Sequence, residues 1–139
     1  MSLVVDASVA CKWFVAEAQS EQAAALLAGG DVLIAPDLIV PELCKVAWLK
    51  QRRGEISADQ TTSLVDSLPA LLDELVPSEQ LAARAFAIAN ELIHPVWECF
   101  YLALAELRGT RLVTADRRLV SRLGATPWAH LPVGLGDVS

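Results

Sequence analysis

The stretch Ser2–Phe14, "SLVVDASVACKWF", decides the fold. Leu3, Val4 and Val5 form a short apolar run that reads as a buried strand at about 3–5. Val9, Ala10, Trp13 and Phe14 then supply the apolar face of a short helix at about 8–14. Asp6 stands between two stretches that both favour burial. A carboxylate in that position must be paired, hydrogen-bonded, protonated or bound to a metal.

The pattern of short strand followed by helix recurs along the chain. "DVLIAP" predicts a strand at about 32–35, "ALLDELVP" one at about 71–75 and "TRLVTAD" one at about 111–113, while "WAHLPV" suits a last edge strand. Helices are expected at about 18–28, 37–53, 58–68, 78–92, 96–108 and 116–123. Their stops are Gly29-Gly30, Gly54 and Gly109; Ser57 and Ser78 are expected as caps, and Asp116 or Thr114 caps the last helix. Pro41 falls in or just after a first turn, and Pro95 opens the helix at 96. Short apolar strands separated by helices imply an α/β fold, a three-layer α/β/α sandwich around a mainly parallel central sheet. At 139 residues, with no linker or repeat, the chain reads as a single domain over 1–139.

Composition narrows the function classes. Apolar residues make up 54% of the chain, enough for a compact core and an interface besides, yet no apolar run reaches the roughly 18 residues of a membrane span. Nothing resembles a secretory leader. Cys11, Cys44 and Cys99 are odd in number, lack zinc spacing and lie in apolar stretches, which predicts buried free thiols in a reducing, cytoplasmic setting. A net charge of −6 argues against nucleic-acid binding through bulk positive charge, while leaving a local site open. The basic clusters "KQRRG" at 50–54 and "DRRLVSR" at 116–122 read as solvated helix ends.

Four acids are the candidates for chemistry. Asp6 and Asp116 each follow a predicted strand, where open parallel sheets build their sites. Both also suit helix capping. Glu98 lies in "PVWECFYLALAEL", a helix apolar nearly all round, on one face with Tyr101, Leu102 and Ala105. Glu42 has a similar place in "LIVPELCKVAWL", above Val46 and Leu49. The plain reading of both glutamates is a favourable interaction with a helix N-terminus. Convergence of the four would be costly: two unit charges about 6 Å apart repel by about 2.8 kcal/mol at an effective dielectric near 20. Such a cluster keeps protons it should lose or binds a cation, and an all-oxygen donor set suits Mg²⁺ or Mn²⁺. His94 and His130 read as structural or surface residues.

"VVDASVACKWF", "APDLIVPELCKVAWL" and "ECFYLALAELRGTRLVTADRRL" resemble, in order and spacing, the motifs of PIN-domain proteins, and among them VapC-type toxins of toxin–antitoxin pairs. The resemblance runs from about residue 3 to residue 123. It implies a metal-dependent endoribonuclease with acids at Asp6, Glu42, Glu98 and Asp116 and polar helpers at Ser8 and Thr114. One departure stands out: the family usually carries Asp where this chain has Glu98, whose longer arm alters the geometry offered to an ion. The implied mechanism has Asp6, Glu98 and Asp116 holding one or two Mg²⁺ (or Mn²⁺) ions, with Glu42 completing the shell or orienting the attacking water. Products with a 5′-phosphate and a 3′-hydroxyl are implied.

Lys12 and Lys45, each close in sequence to a site acid, are expected to contact the RNA backbone. The likeness also implies a VapB-like antitoxin that docks on the toxin. Apolar helices bearing Trp13, Trp48 and Trp97 suit that docking or a homodimer seam, although core packing is the plainer reading of each tryptophan. The chief rival is a PIN-fold protein with weak or no catalysis that binds RNA or a partner, and Glu98 is the feature in its favour. Other phosphate-handling classes lack their marks: no GxxxxGK[ST] occurs, and no second Asp lies two residues after Asp6.

Overall fold

A computed structural model describes residues 1–138 of the chain. Five strands form one sheet: β1 (Ser2–Val5), β2 (Val32–Pro36), β3 (Glu74–Val76), β4 (Leu112–Thr114) and β5 (Pro132–Gly134). Seven α-helices lie between them: α1 (Ala7–Ala10), α2 (Ser20–Ala28), α3 (Ile39–Arg52), α4 (Ala58–Leu71), α5 (Ala82–Leu92), α6 (Val96–Arg108) and α7 (Arg117–Leu123). The strand order is β3-β2-β1-β4-β5 and every pairing is parallel. Right-handed crossovers then place α1 to α4 on one face and α5 to α7 on the other. The three-layer sandwich expected from the sequence is the observed fold, with a sheet that is parallel throughout.

The strands are short because their residues are buried on both sides. Val4, Val5, Ile34, Ala35 and Val113 are fully enclosed, and α6 packs its Leu102 and Ala105 across β1, β2 and β4. Chain direction reverses between β1 and β4. From there the chain winds through β2 to β3 one way and on to β5 the other, and the crevice at the carboxyl ends of β1 and β4 is where such sheets bind ligands. Asp6 follows β1 directly and Asp116 follows β4 by two residues.

Several helix ends follow their predicted chemistry. Ser57 and Gln60 form a reciprocal capping box on α4, and Gly54 and Gly109 adopt positive φ just past α3 and α6. The helix expected at 8–14 divides into α1 and a 3-10 turn over Cys11–Trp13. Two expectations need correction. The strand placed at 71–75 begins later, because α4 continues through Pro69 to Leu71 and only Glu74–Val76 pair with β2. Asp73 fixes that start: its carboxylate accepts from the Leu33 amide at 2.8 Å and its own amide donates to the Leu33 carbonyl at 2.8 Å. Ser78 does not cap the helix after it. Its amide and hydroxyl both turn to Asp37, residues 78–80 form a 3-10 turn, and α5 begins at Ala82.

The tryptophans divide. Trp13 is half-buried and donates its indole N–H to the Ala23 carbonyl at 2.9 Å. Trp48 and Trp97 are 57% and 64% exposed, which overturns core packing for both. The Arg52 guanidinium lies over the Trp48 ring, 5.8 Å from its centroid. Cys11 and Cys99 are buried as expected, while Cys44 is only half-buried; all three are free thiols. No helix among the described residues is long and apolar enough to cross a membrane.

Candidate active site

Asp6, Ser8, Glu42, Glu98, Tyr101 and Asp116 line one cleft of about 160 Å³ with Ala7, Leu112 and Leu119. The four acids come from four separate places in the chain. Asp6 and Asp116 come from the ends of β1 and β4, Glu42 from the first turns of α3, and Glu98 from the first turn of α6. The topology thus brings together all four acids singled out in the sequence.

Capping and cleft-lining turn out to be compatible roles. Asp6 Oδ1 accepts from the Ser8 hydroxyl at 2.6 Å and from the Val9 amide at 3.2 Å, which starts α1. Asp116 Oδ1 accepts from the amides of Arg118 and Leu119 at 2.9 and 3.4 Å, which starts α7. Glu42 Oε1 accepts from the Tyr101 hydroxyl at 2.6 Å. Glu98 Oε2 meets Nε2 of His94, one helical turn earlier. In each of the four, the bonds named here fall on a single carboxylate oxygen.

Burial raises the pKa of Asp6; the hydroxyls of Ser8 and Thr114 and nearby backbone amides oppose that rise. Burial likewise raises Glu42, the negative charges of Asp6 and Glu98 add to the rise, and the bonds and charge of Tyr101 and Lys45 oppose it. Tyr101 is pushed far up by burial and by Glu42, so its hydroxyl remains a donor. Thr114 is fully buried and accepts the Asp116 amide at 3.0 Å, while the Ser8 hydroxyl also accepts the Ala115 amide at 3.1 Å. The two predicted helpers therefore tie the β1 and β4 ends together.

This donor set suits a hard divalent cation: carboxylates only, two of them disfavoured as free anions by burial. Among the described residues, no three His, Cys, Asp or Glu side chains stand already clustered as ligands of one ion.

Basic residues flank the cleft unevenly. Lys45 lines an adjoining groove of about 530 Å³ with Leu38, Pro41, Val46, Leu49 and Trp97, and this groove shares Ala7 and Glu42 with the acidic cleft. On the other side Arg118 and Arg122 border a hollow of about 220 Å³ with His94, Glu98 and Asp116. Lys12 is not a lining residue of either. Its side chain is largely buried, 3.3 Å from Glu17, which Lys50 also approaches at 3.2 Å.

Sequence reasoning missed two residues of this site. Tyr101 counted only as part of an apolar face, although a buried Tyr hydroxyl needs a partner. His94 counted as structural or surface, although it precedes Glu98 by four residues, the spacing at which helical side chains meet.

A parallel sheet with four carboxylates lining a cleft at its switch point is consistent with a PIN domain, and the chain belongs to the PIN-domain family, whose model matches residues 3–124. Ribonuclease VapC3 of Pyrobaculum aerophilum is 32% identical over 127 residues, spanning 90% of this chain and 97% of that protein. Among solved structures, PAE2754 of Pyrobaculum aerophilum superposes with a TM-score of 0.71 at 18% identity, covering 98% of this chain and 90% of that one. VapC20 of Mycobacterium tuberculosis, described as a sarcin–ricin loop cleaving toxin, does so at 0.63 and 15% identity, covering 86% of this chain and 94% of that one. At those identities the two structures attest the shared fold.

Proposed function

We propose that this chain is a divalent-metal-dependent endoribonuclease, the toxin of a type II toxin–antitoxin pair. The observation that carries the reading is the single cleft lined by Asp6, Glu42, Glu98 and Asp116. The relative named Ribonuclease VapC3, matched along nearly its whole length, supports it.

Asp6, Glu98 and Asp116 would hold Mg²⁺ or Mn²⁺, directly or through water. Such an ion supplies Lewis-acid charge that activates water and offsets charge building on the phosphate. Glu42, whose burial the Tyr101 hydroxyl partly offsets, would complete the shell or orient the attacking water. Ser8 and Thr114 fix the spacing of the β1 and β4 ends, so that Asp6 and Asp116 face one another across the cleft. Lys45 on one bank and Arg118 and Arg122 on the other give an RNA backbone somewhere to rest beside an acidic centre. Lys12 serves the Glu17 network instead.

The partner expected is a VapB-like antitoxin. The groove formed by Leu38, Pro41, Val46, Leu49 and Trp97 is apolar, opens beside Glu42 and suits an amphipathic helix of that partner. Exposed Trp48 offers a further seam for a second copy of the chain. A second reading, a PIN-fold binder without catalysis, draws on the longer Glu98 arm and on the separation of the acids among private partners. Incubating the purified chain with RNA and Mg²⁺, then Mn²⁺, against Asp6→Asn separates the two readings. Metal-dependent cleavage above that control supports the nuclease; binding without cleavage supports the alternative.

A further inference from the structure

We infer that His94 is a positioning residue that holds Glu98 in the cleft and thereby sets the cleft's affinity for Mn²⁺. The inference rests on the reading of Glu98 as a cation-facing carboxylate.

The turn between α5 and α6 is built to deliver this imidazole. Ile93 closes α5 in the left-handed region at φ 50, an unfavourable place for a β-branched residue. The turn is pinned from outside itself: the Arg122 guanidinium donates to the Ile93 carbonyl at 2.6 Å, and the His94 amide reaches the Ala89 carbonyl at 3.3 Å. Pro95 then starts α6, so that His94 lies one turn before Glu98. Its side chain is only 5% exposed, against 39% for Glu98.

Among the described residues, Glu98 is the one polar partner of the ring. Nε2 meets Glu98 Oε2, while Nδ1 is buried with no hydrogen-bond partner among the described residues. The tautomer with its proton on Nε2 makes this contact a hydrogen bond donated to the carboxylate. Simple packing does not account for this choice of residue. An apolar side chain would fill the space without leaving a buried nitrogen unpaired. The contact also answers the question raised by the long acid. Glu has one more rotatable bond than the Asp usual at this position, and in a half-exposed first turn its carboxylate would swing into solvent. His94 removes that freedom by holding Oε2 of a residue that lines the cleft. Asp, being shorter, would not reach back to His94.

The test counts Mn²⁺ bound to the full chain by electron paramagnetic resonance of the free ion, with no RNA present. Asp6→Asn should weaken binding by at least tenfold, which checks the cleft itself. His94→Leu should weaken it about tenfold, the lower end of what loss of an outer-shell partner costs a metal site. His94→Gln, whose carboxamide N–H can still donate, should stay within about threefold of the unmodified chain. In a Glu98→Asp background, adding His94→Leu should change binding by less than about twofold, because the contact is already gone. Binding unchanged in His94→Leu but weakened in Asp6→Asn overturns the positioning role and leaves the cleft standing. An equal loss from His94→Leu in both backgrounds also overturns it, since His94 would then act through the fold. Mn²⁺ binding indifferent to Asp6 overturns both readings. Should His94→Leu fail to fold, the imidazole ¹⁵N spectrum of the unmodified chain decides: a proton on Nε2 whose signal moves in Glu98→Gln supports the contact, and a proton on Nδ1 overturns it.

Discussion

Tyr101 on α6 donates its hydroxyl to Glu42 on α3 at 2.6 Å, joining helices from opposite faces across the carboxyl ends of the strands. Among the described residues, no other side-chain hydrogen bond joins those two helices. The bond also opposes the rise in the Glu42 pKa that burial and the charges of Asp6 and Glu98 cause.

Tyr101→Phe removes the donor and leaves the carboxylate behind. Hydrogen bonds to charged groups are worth about 1.5–3 kcal/mol, and because Glu42 is half-exposed the loss should fall near about 1–2 kcal/mol. Glu42 should titrate higher still. Denaturant unfolding reads the stability, and RNA cleavage should fall by about tenfold, as loss of 1.4 kcal/mol of transition-state stabilisation would give.

Stability should depend on pH with a definite sign. Asp6 and Glu42 have native pKa values raised by burial above their unfolded values near about 4. Between the unfolded and native values the folded chain binds more protons, so stability falls as pH rises through that window. At neutral pH Asp6→Asn should therefore raise the melting temperature of the metal-free chain while abolishing cleavage. Added Mn²⁺ should stabilise the unmodified chain and leave the variant unmoved. Thermal melts from pH 4 to pH 8, with and without Mn²⁺, read both effects.

Thr114→Val keeps the shape of a fully buried residue but deletes the acceptor of the Asp116 amide. Leaving that amide unpaired should cost about 1–3 kcal/mol and reduce cleavage by misplacing Asp116, whereas Thr114→Ser should preserve most of both. Chemical denaturation alongside a cleavage assay distinguishes the pair.

Lys45→Ala should weaken RNA binding across sequences and lower the salt slope of binding by about one. Lys12→Ala should leave RNA binding alone and cost a little stability through Glu17, a half-buried pair at 3.3 Å. Binding titrations at several salt concentrations, in the presence of chelator to prevent cleavage, separate the two lysines.

How much of this was legible in the sequence follows from the range of each interaction. β1, β2 and β4 were readable because residues buried on both faces must be apolar, and the caps at Ser57 and Asp116 because they act within three residues. β3 was misplaced by its own neighbourhood: Pro69 does not end α4, and the start of β3 is fixed by Asp73 bonding to Leu33, 40 positions away. The acids could be found as charges on apolar faces. Their partners could not all be found, since Glu42 and Tyr101 are 59 positions apart. Lys12 is close to Asp6 in sequence, yet its ion pair is with Glu17, a partner that this closeness does not reveal. Trp48 and Trp97 looked like core because apolar character alone does not tell a buried face from an uncovered one.

The central claim, that the acids of β1, α3, α6 and β4 act as one metal-loaded cleavage site, is tested most directly by RNA cleavage with purified chain. Mg²⁺ or Mn²⁺ should switch cleavage on, chelation should switch it off, and Asp6→Asn should reduce the rate at least a hundredfold. Cleavage that persists at the same rate in chelator, or in Asp6→Asn, would contradict it.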